Sequence, residues 1–258
     1  VHRFGVVAPS ALAAEAIALG ADHVEPPIVG NVIESDADGH WHRSPGFVQP
    51  RPASSFALLF PAEPRIADPT VPMSAVEDYL RTALDATAAV AEPDAKIVLG
   101  SGTSRTIPDG VDREAAEARF ADVLRTARDL AAVRRLRILL EPLNRGETNL
   151  LHTMSDCAAF LDDHRIGGID IVADVYHLML EGESFDTVRE LGPRIGHVHL
   201  SDEDRQPPGT ADWPLAEFLR AVRAGGYEGT ASLECRWSAF ADELPEALAF
   251  VRSADATA

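Results

Sequence analysis

Short apolar runs alternate with longer amphipathic stretches along most of the chain, and this rhythm constrains the fold more than any other feature. The runs are RFGVVAP (3–9), DHVEP (22–26), SSFALLF (54–60), AKIVLGSG (95–102), LRILLEPL (136–143), GIDIVADV (168–175), IGHVHLSD (195–202) and GTASLEC (229–235). Most are rich in β-branched or large aliphatic residues, as strands buried on both faces are. Between them lie helical patterns. In DREAAEARFADVLRTARDLAAVRR (112–135) apolar residues recur every three to four positions. Others cover SALAAEAIALG (10–20), with Ser10 as its N-cap, and MSAVEDYLRTALDATAAVAE (73–92). Eight strands alternating with helices in 258 residues predict an α/β fold, a single-domain (β/α)8 TIM barrel. A doubly wound sheet needs a glycine-rich turn after its first strand, and VVAPSALA has none. Two segments break the rhythm. Residues 27–53, rich in Pro, Gly, Asp and His, read as a lid loop, and the polar tail SADATA (253–258) reads as flexible.

Four consecutive strands finish alike. The fifth ends RILLE, placing Glu141; the sixth ends IVAD, placing Asp174. The seventh reads IGHVH, placing His199, and the eighth ends ASLE, placing Glu234. In a barrel the C-terminal strand ends converge on one face, where active sites lie. Three carboxylates brought together in a partly buried pocket repel one another and resist desolvation. A divalent cation removes that conflict. Three carboxylates and an imidazole suit Mn2+ first, with Mg2+, Co2+ or Zn2+ as alternatives.

The segments EPLNRGETNLLHT (141–153), DVYHLMLE (174–181), GHVHLSDEDR (196–205) and LEC (233–235), in that order, resemble the xylose isomerase-like TIM-barrel superfamily. They look most like its sugar isomerases and epimerases, the group of D-tagatose 3-epimerase and hydroxypyruvate isomerase. The resemblance implies that Glu141, Asp174, His199 and Glu234 bind one metal ion. It implies that His177, Arg205 and Glu147 contact substrate oxygens. Glu141 and Glu234 become the pair that removes and returns a proton. The implied activity is a divalent-metal-dependent isomerase or epimerase acting on a ketose, sugar phosphate or related hydroxycarbonyl compound through an enediolate. A dehydratase of a keto-inositol or sugar acid on the same fold, or a non-catalytic sugar-binding or subunit role, is the alternative. Homo-oligomers are common in the resembled group.

Charge narrows the partners. With 23 basic and 41 acidic residues the net charge is −18, which repels nucleic acid. No apolar run approaches the roughly 20 residues of a membrane span, so no membrane partner is expected. The N-terminal stretch leads straight into a strand and a helix and does not read as a signal peptide. Two distant cysteines, Cys157 and Cys235, form no framework, which points to a reducing cytoplasm.

Overall fold

The computed structural model describes residues 2–257. Its strands are β1 (Arg3–Val7), β2 (Val24–Glu25), β3 (Ile33–Ser35), β4 (Trp41–Arg43), β5 (Ala53–Phe56), β6 (Ala91–Leu99), β7 (Leu136–Leu140), β8 (Asp170–Asp174), β9 (Ile195–Leu200) and β10 (Thr230–Leu233). Its helices are α1 (Ala13–Ala18), α2 (Met73–Ala88), α3 (Gly102–Arg105), α4 (Arg113–Ala132), α5 (Met154–Asp163), α6 (Val175–Glu181), α7 (Phe185–Glu190), α8 (Leu215–Ala224) and α9 (Phe240–Thr257). Eight of the strands form one parallel sheet in the order β2-β1-β10-β9-β8-β7-β6-β5. Its two edges meet just beyond the strands. Pro27 bridges Ala57, and Ile28 N donates to Ala57 O at 2.8 Å. The sheet is therefore a nearly closed barrel, as the sequence rhythm predicts.

Strand alternation sorts the interior. Val98, Leu139 and Val172, from β6, β7 and β8, form an apolar cluster apart from the main core. The other half of the interior is polar and carries Glu25, Ser55, His197, His199 and Ser232, all fully buried. Outside, α4 lays Ala116, Phe120, Val123, Leu124, Ala127 and Ala131 into the core. Asp112 caps it by accepting from Ala115 N, and a Thr153–Asp156 capping box starts α5.

Several boundaries differ from expectation. Ser10 opens a short 3-10 turn and caps no helix, so α1 starts only at Ala13. Ala91 and Glu92 belong to β6, not to the preceding helix. The tail is helical rather than flexible. Residues 253–257 complete α9, and Asp255 is fully buried. Its carboxylate accepts from His2 N at 2.9 Å and pairs with Arg223 at 2.6 Å. The segment read as a lid contains the β3–β4 hairpin, with Ile28, Val32 and Ile33 fully buried in the core. Trp41 meets Tyr79 of α2 edge-on at 5.5 Å, while His40 and His42 are exposed. Apolar anchors hidden in a polar composition hold the 27–53 segment, and the buried Asp255 carboxylate holds the tail.

Candidate metal centre

The four strand-end residues meet where the register brings them level. Asp174 of β8 is paired with His199 of β9, and His199 with Ser232 of β10. Glu141 and Glu234 lie one residue past their strands, yet the ladder continues through them. Glu141 N donates to Leu99 O at 3.2 Å and Glu234 N to Leu200 O at 2.9 Å. As a result one donor atom from each of Glu141, Asp174, His199 and Glu234 lies within 4.8 Å of the others. Donors bound about 2.1 Å from one ion lie at most about 4.2 Å apart, so small side-chain movements complete the set.

The electrostatics fit a cation. Asp174 Oδ1 accepts from Tyr176 N at 2.8 Å and caps α6, while Oδ2 is buried with no hydrogen-bond partner. One oxygen is structural and the other is left for a ligand. Burial raises the pKa values of Glu141 and Asp174, with the neighbouring Glu234 charge adding to it. Burial also acts on Glu234, but the charges of His199 and Arg205 prevail and hold its pKa down. Burial opposes charging of His199, yet Glu25, Glu234 and Glu141 push its pKa well above the usual value. A cluster that draws a proton onto its imidazole is one where positive charge is wanted.

The remaining expected residues border this cluster. Arg205 Nη1 lies 2.7 Å from Glu234 Oε2 and 3.9 Å from Asp174 Oδ2. Its Nη2 lies 3.4 Å from Glu147 Oε1 and 3.1 Å from His177 Nε2. The Tyr176 ring, 4.4 Å away, supports the guanidinium. His177 is fully buried on α6, and Asn144 N donates to its Nδ1 at 3.0 Å, which turns Nε2 towards the cluster. All seven residues are thus gathered in one place.

The loop carrying Arg205 is tied down by a residue that sequence reasoning did not single out. Asp202, fully buried, accepts from the backbone of Glu203 (3.0 Å), Gly209 (3.1 Å), Ala211 (3.0 Å) and Trp213 (3.4 Å). Those bonds hold Asp204 and Arg205 at left-handed φ of 57°. Arg105 is fully buried and donates to Glu141 O at 2.6 Å and Leu151 O at 3.0 Å. It anchors the backbone of a cluster residue. Gly100 was also missed. A Cβ there would stand 2.2 Å from Glu141 Oε2. Glu25 ends β2 and is fully buried.

No helix among the described residues is long and apolar enough to cross a membrane. The family described as xylose isomerase-like TIM barrel matches residues 60–254. The D-psicose 3-epimerase of Enterocloster bolteae is 32% identical over 124 residues, covering 48% of this chain and 40% of that protein. The ketose 3-epimerase of Arthrobacter globiformis is 28% identical over 173 residues, 65% of this chain and 57% of its own. The matched stretch thus spans about half the length of these curated relatives. A solved L-ribulose 3-epimerase superposes with a TM-score of 0.81 at 18% identity, over 100% of this chain and 95% of that one. Sequence match and fold agree, and the chain belongs to the xylose isomerase-like TIM barrel family.

Proposed function

We propose that the protein is a divalent-metal-dependent isomerase or epimerase of a ketose or related hydroxycarbonyl compound, acting through an enediolate. The observation that carries this reading is the convergence of donor atoms from Glu141, Asp174, His199 and Glu234 within 4.8 Å, with Asp174 Oδ2 buried and without a hydrogen-bond partner. These four residues would hold the ion, Mn2+ by preference. A bound ion supplies Lewis-acid stabilisation where negative charge develops on the substrate oxygen.

The chain's own residues do the rest. Glu141 and Glu234 exchange the proton on the carbon beside the carbonyl, one as base and one as acid. Their surroundings push their pKa values in opposite directions, Glu141 up by burial and Glu234 down by His199 and Arg205 despite burial. Such a split suits paired acid and base work. Arg205 stands beside Glu234 at 2.7 Å, so its fixed charge reaches the same substrate end. His177 Nε2 and Glu147 border that end and orient hydroxyls. Arg205 is engaged by Glu234 and Glu147, and Arg105 by two carbonyls, which favours an uncharged ketose over a phosphorylated one. The relatives named as epimerases of psicose and other ketoses support the same substrate class.

The test is deuterium exchange by NMR. Mn2+-loaded protein is incubated in D2O with ketoses, ketose phosphates and oxo-acids, and the metal is removed before spectra are recorded. Loss of one carbon-bound proton signal from a ketose is the expected result, and product analysis then separates epimer from isomer. No exchange in any panel member despite bound metal overturns the reading.

A further inference from the structure

We infer that Glu25 is a positioning residue that sets the tautomer of His199, holding the ring proton on Nε2 so that Nδ1 is free to bind the ion. The inference rests on the metal reading above and names a residue outside the cluster itself. Glu25 ends β2 and is fully buried inside the barrel, 174 positions from His199 in sequence. Its two oxygens have different work. Oε2 accepts from Ser55 Oγ at 2.9 Å and Ser232 Oγ at 2.6 Å, and meets His197 Nε2 at 2.7 Å. Oε1 meets His199 Nε2 at 3.1 Å.

The protons can be assigned without conflict. Ser232 spends its hydroxyl proton on Glu25, so its oxygen accepts from His23 Nε2 at 3.0 Å. His197 gives its Nε2 proton to Glu25, and its Nδ1 accepts from Thr230 Oγ1 at 3.4 Å. A carboxylate accepts and does not donate, so His199 must present N–H at Nε2. Nδ1 faces the other way, 2.9 Å from Glu141 Oε1 and 3.5 Å from Glu234 Oε2, and an ion bound there would replace the proton that Nδ1 shares with Glu141. That is the side on which the other three donors gather. A carboxylate behind a ligating histidine fixes ring orientation and tautomer in this way.

Glu25, His197 and His199 also lie within 4.8 Å of one another, as metal ligands do. Two serine hydroxyls already fill Oε2, however, and the separations are those of hydrogen bonds. The trio is a proton-bearing network behind the metal centre.

The discriminating variant is Glu25→Gln. Three donors converge where Oε2 stands, so the amide oxygen takes that place and its NH2 faces His199. The ring must then accept at Nε2 and carry its proton on Nδ1, the metal side. Two readouts apply, neither of them turnover. In the Zn2+-loaded wild type, 15N NMR should show His199 protonated at Nε2 and bound through Nδ1. Calorimetry with Mn2+ should show one ion per chain, and affinity in Glu25→Gln weaker by about 10- to 100-fold. Ser55→Ala removes a donor to Oε2 without touching His199, so it should keep wild-type affinity and the same tautomer. Binding of His199 through Nε2 in the wild type overturns the inference even if Glu25→Gln fails to fold. So do unchanged affinity in folded Glu25→Gln, equal losses in Glu25→Gln and Ser55→Ala, or two ions per wild-type chain. Failure of the wild type to take up Zn2+ overturns this inference and the metal reading together. Metal uptake with the expected tautomer but no deuterium exchange removes the isomerase reading alone.

Discussion

Gly100 offers the sharpest test of the metal centre, because it lies outside the ligand set and carries no side chain of its own. It follows β6 directly, and a Cβ added there would lie 2.2 Å from Glu141 Oε2 and 3.3 Å from Leu143 Cδ2. Non-bonded carbon and oxygen atoms do not approach so closely, so in Gly100→Ala the carboxylate has to retreat by roughly 1 Å. The backbone here has no left-handed φ, so alanine itself adds no conformational strain. Arg105 holds the Glu141 carbonyl at 2.6 Å and blocks relief by a backbone shift. The displacement therefore falls on the carboxylate, which an ion bound at the proposed site would need within about 2.1 Å. Affinity for Mn2+ should drop by at least about 10-fold, and turnover by about 100-fold, as for other errors of 1 Å in a reacting group. The assay is calorimetric titration of Mn2+ into metal-stripped protein, with circular dichroism to verify the fold. Gly167→Ala is the control, since a Cβ there meets nothing within 4 Å. Folded Gly100→Ala protein that binds Mn2+ within twofold of the wild type would refute this account of how Glu141 is seated.

Three other outcomes are expected. Glu234→Gln should lower kcat by about 100- to 10,000-fold with the fold intact; near-normal turnover removes Glu234 from acid/base work. His23 has its pKa lowered to about 4 by burial, with the neighbouring His197 adding to it. An unfolded histidine titrates near 6.5, so the unfolded state binds more protons between those values. Stability then falls as pH drops through that window, by about 2–3 kcal/mol at roughly pH 4.5. Urea titrations across the window should show a shallower pH slope for His23→Gln, and an unchanged slope contradicts the assignment. Asp255→Asn weakens the contacts to His2 and Arg223 and should cost about 1–3 kcal/mol, read as a lower Tm; an unchanged Tm would mean that α9 is held by its apolar face alone.

Much of the site was legible in the chain because barrel geometry converts a local pattern into a spatial one. An apolar run ending in Glu141, Asp174 or Glu234 needs no knowledge of its neighbours to be placed at the C-terminal rim. Asp174 was legible as a strand-end carboxylate, and folding gives its oxygens different surroundings, one capping α6 and the other buried with no hydrogen-bond partner. What was not legible depends on atoms that meet across the barrel. The need for glycine at 100 arises from the Glu141 carboxylate, 41 positions later, and nothing in AKIVLGSG announces it. The tail failed for a similar reason. SADATA is polar in composition, but Asp255 has partners at His2 and Arg223 that only folding brings near.

Taken alone, the amino-acid sequence determined the βα rhythm, the barrel class and the four residues at consecutive strand ends. Each of these follows from side-chain periodicity and strand polarity within some ten residues. Tertiary structure decided the rest. It joined β2 to β5 across the seam, which put Glu25 behind His199 and chose the face that His199 presents to Glu141 and Glu234. It also laid the Pro-rich segment against α2 and tied the last helix to the first strand. The physical reason is common to all of these. They are side-chain contacts between distant segments, and their partners are set by closure of the sheet rather than by any local preference of the chain.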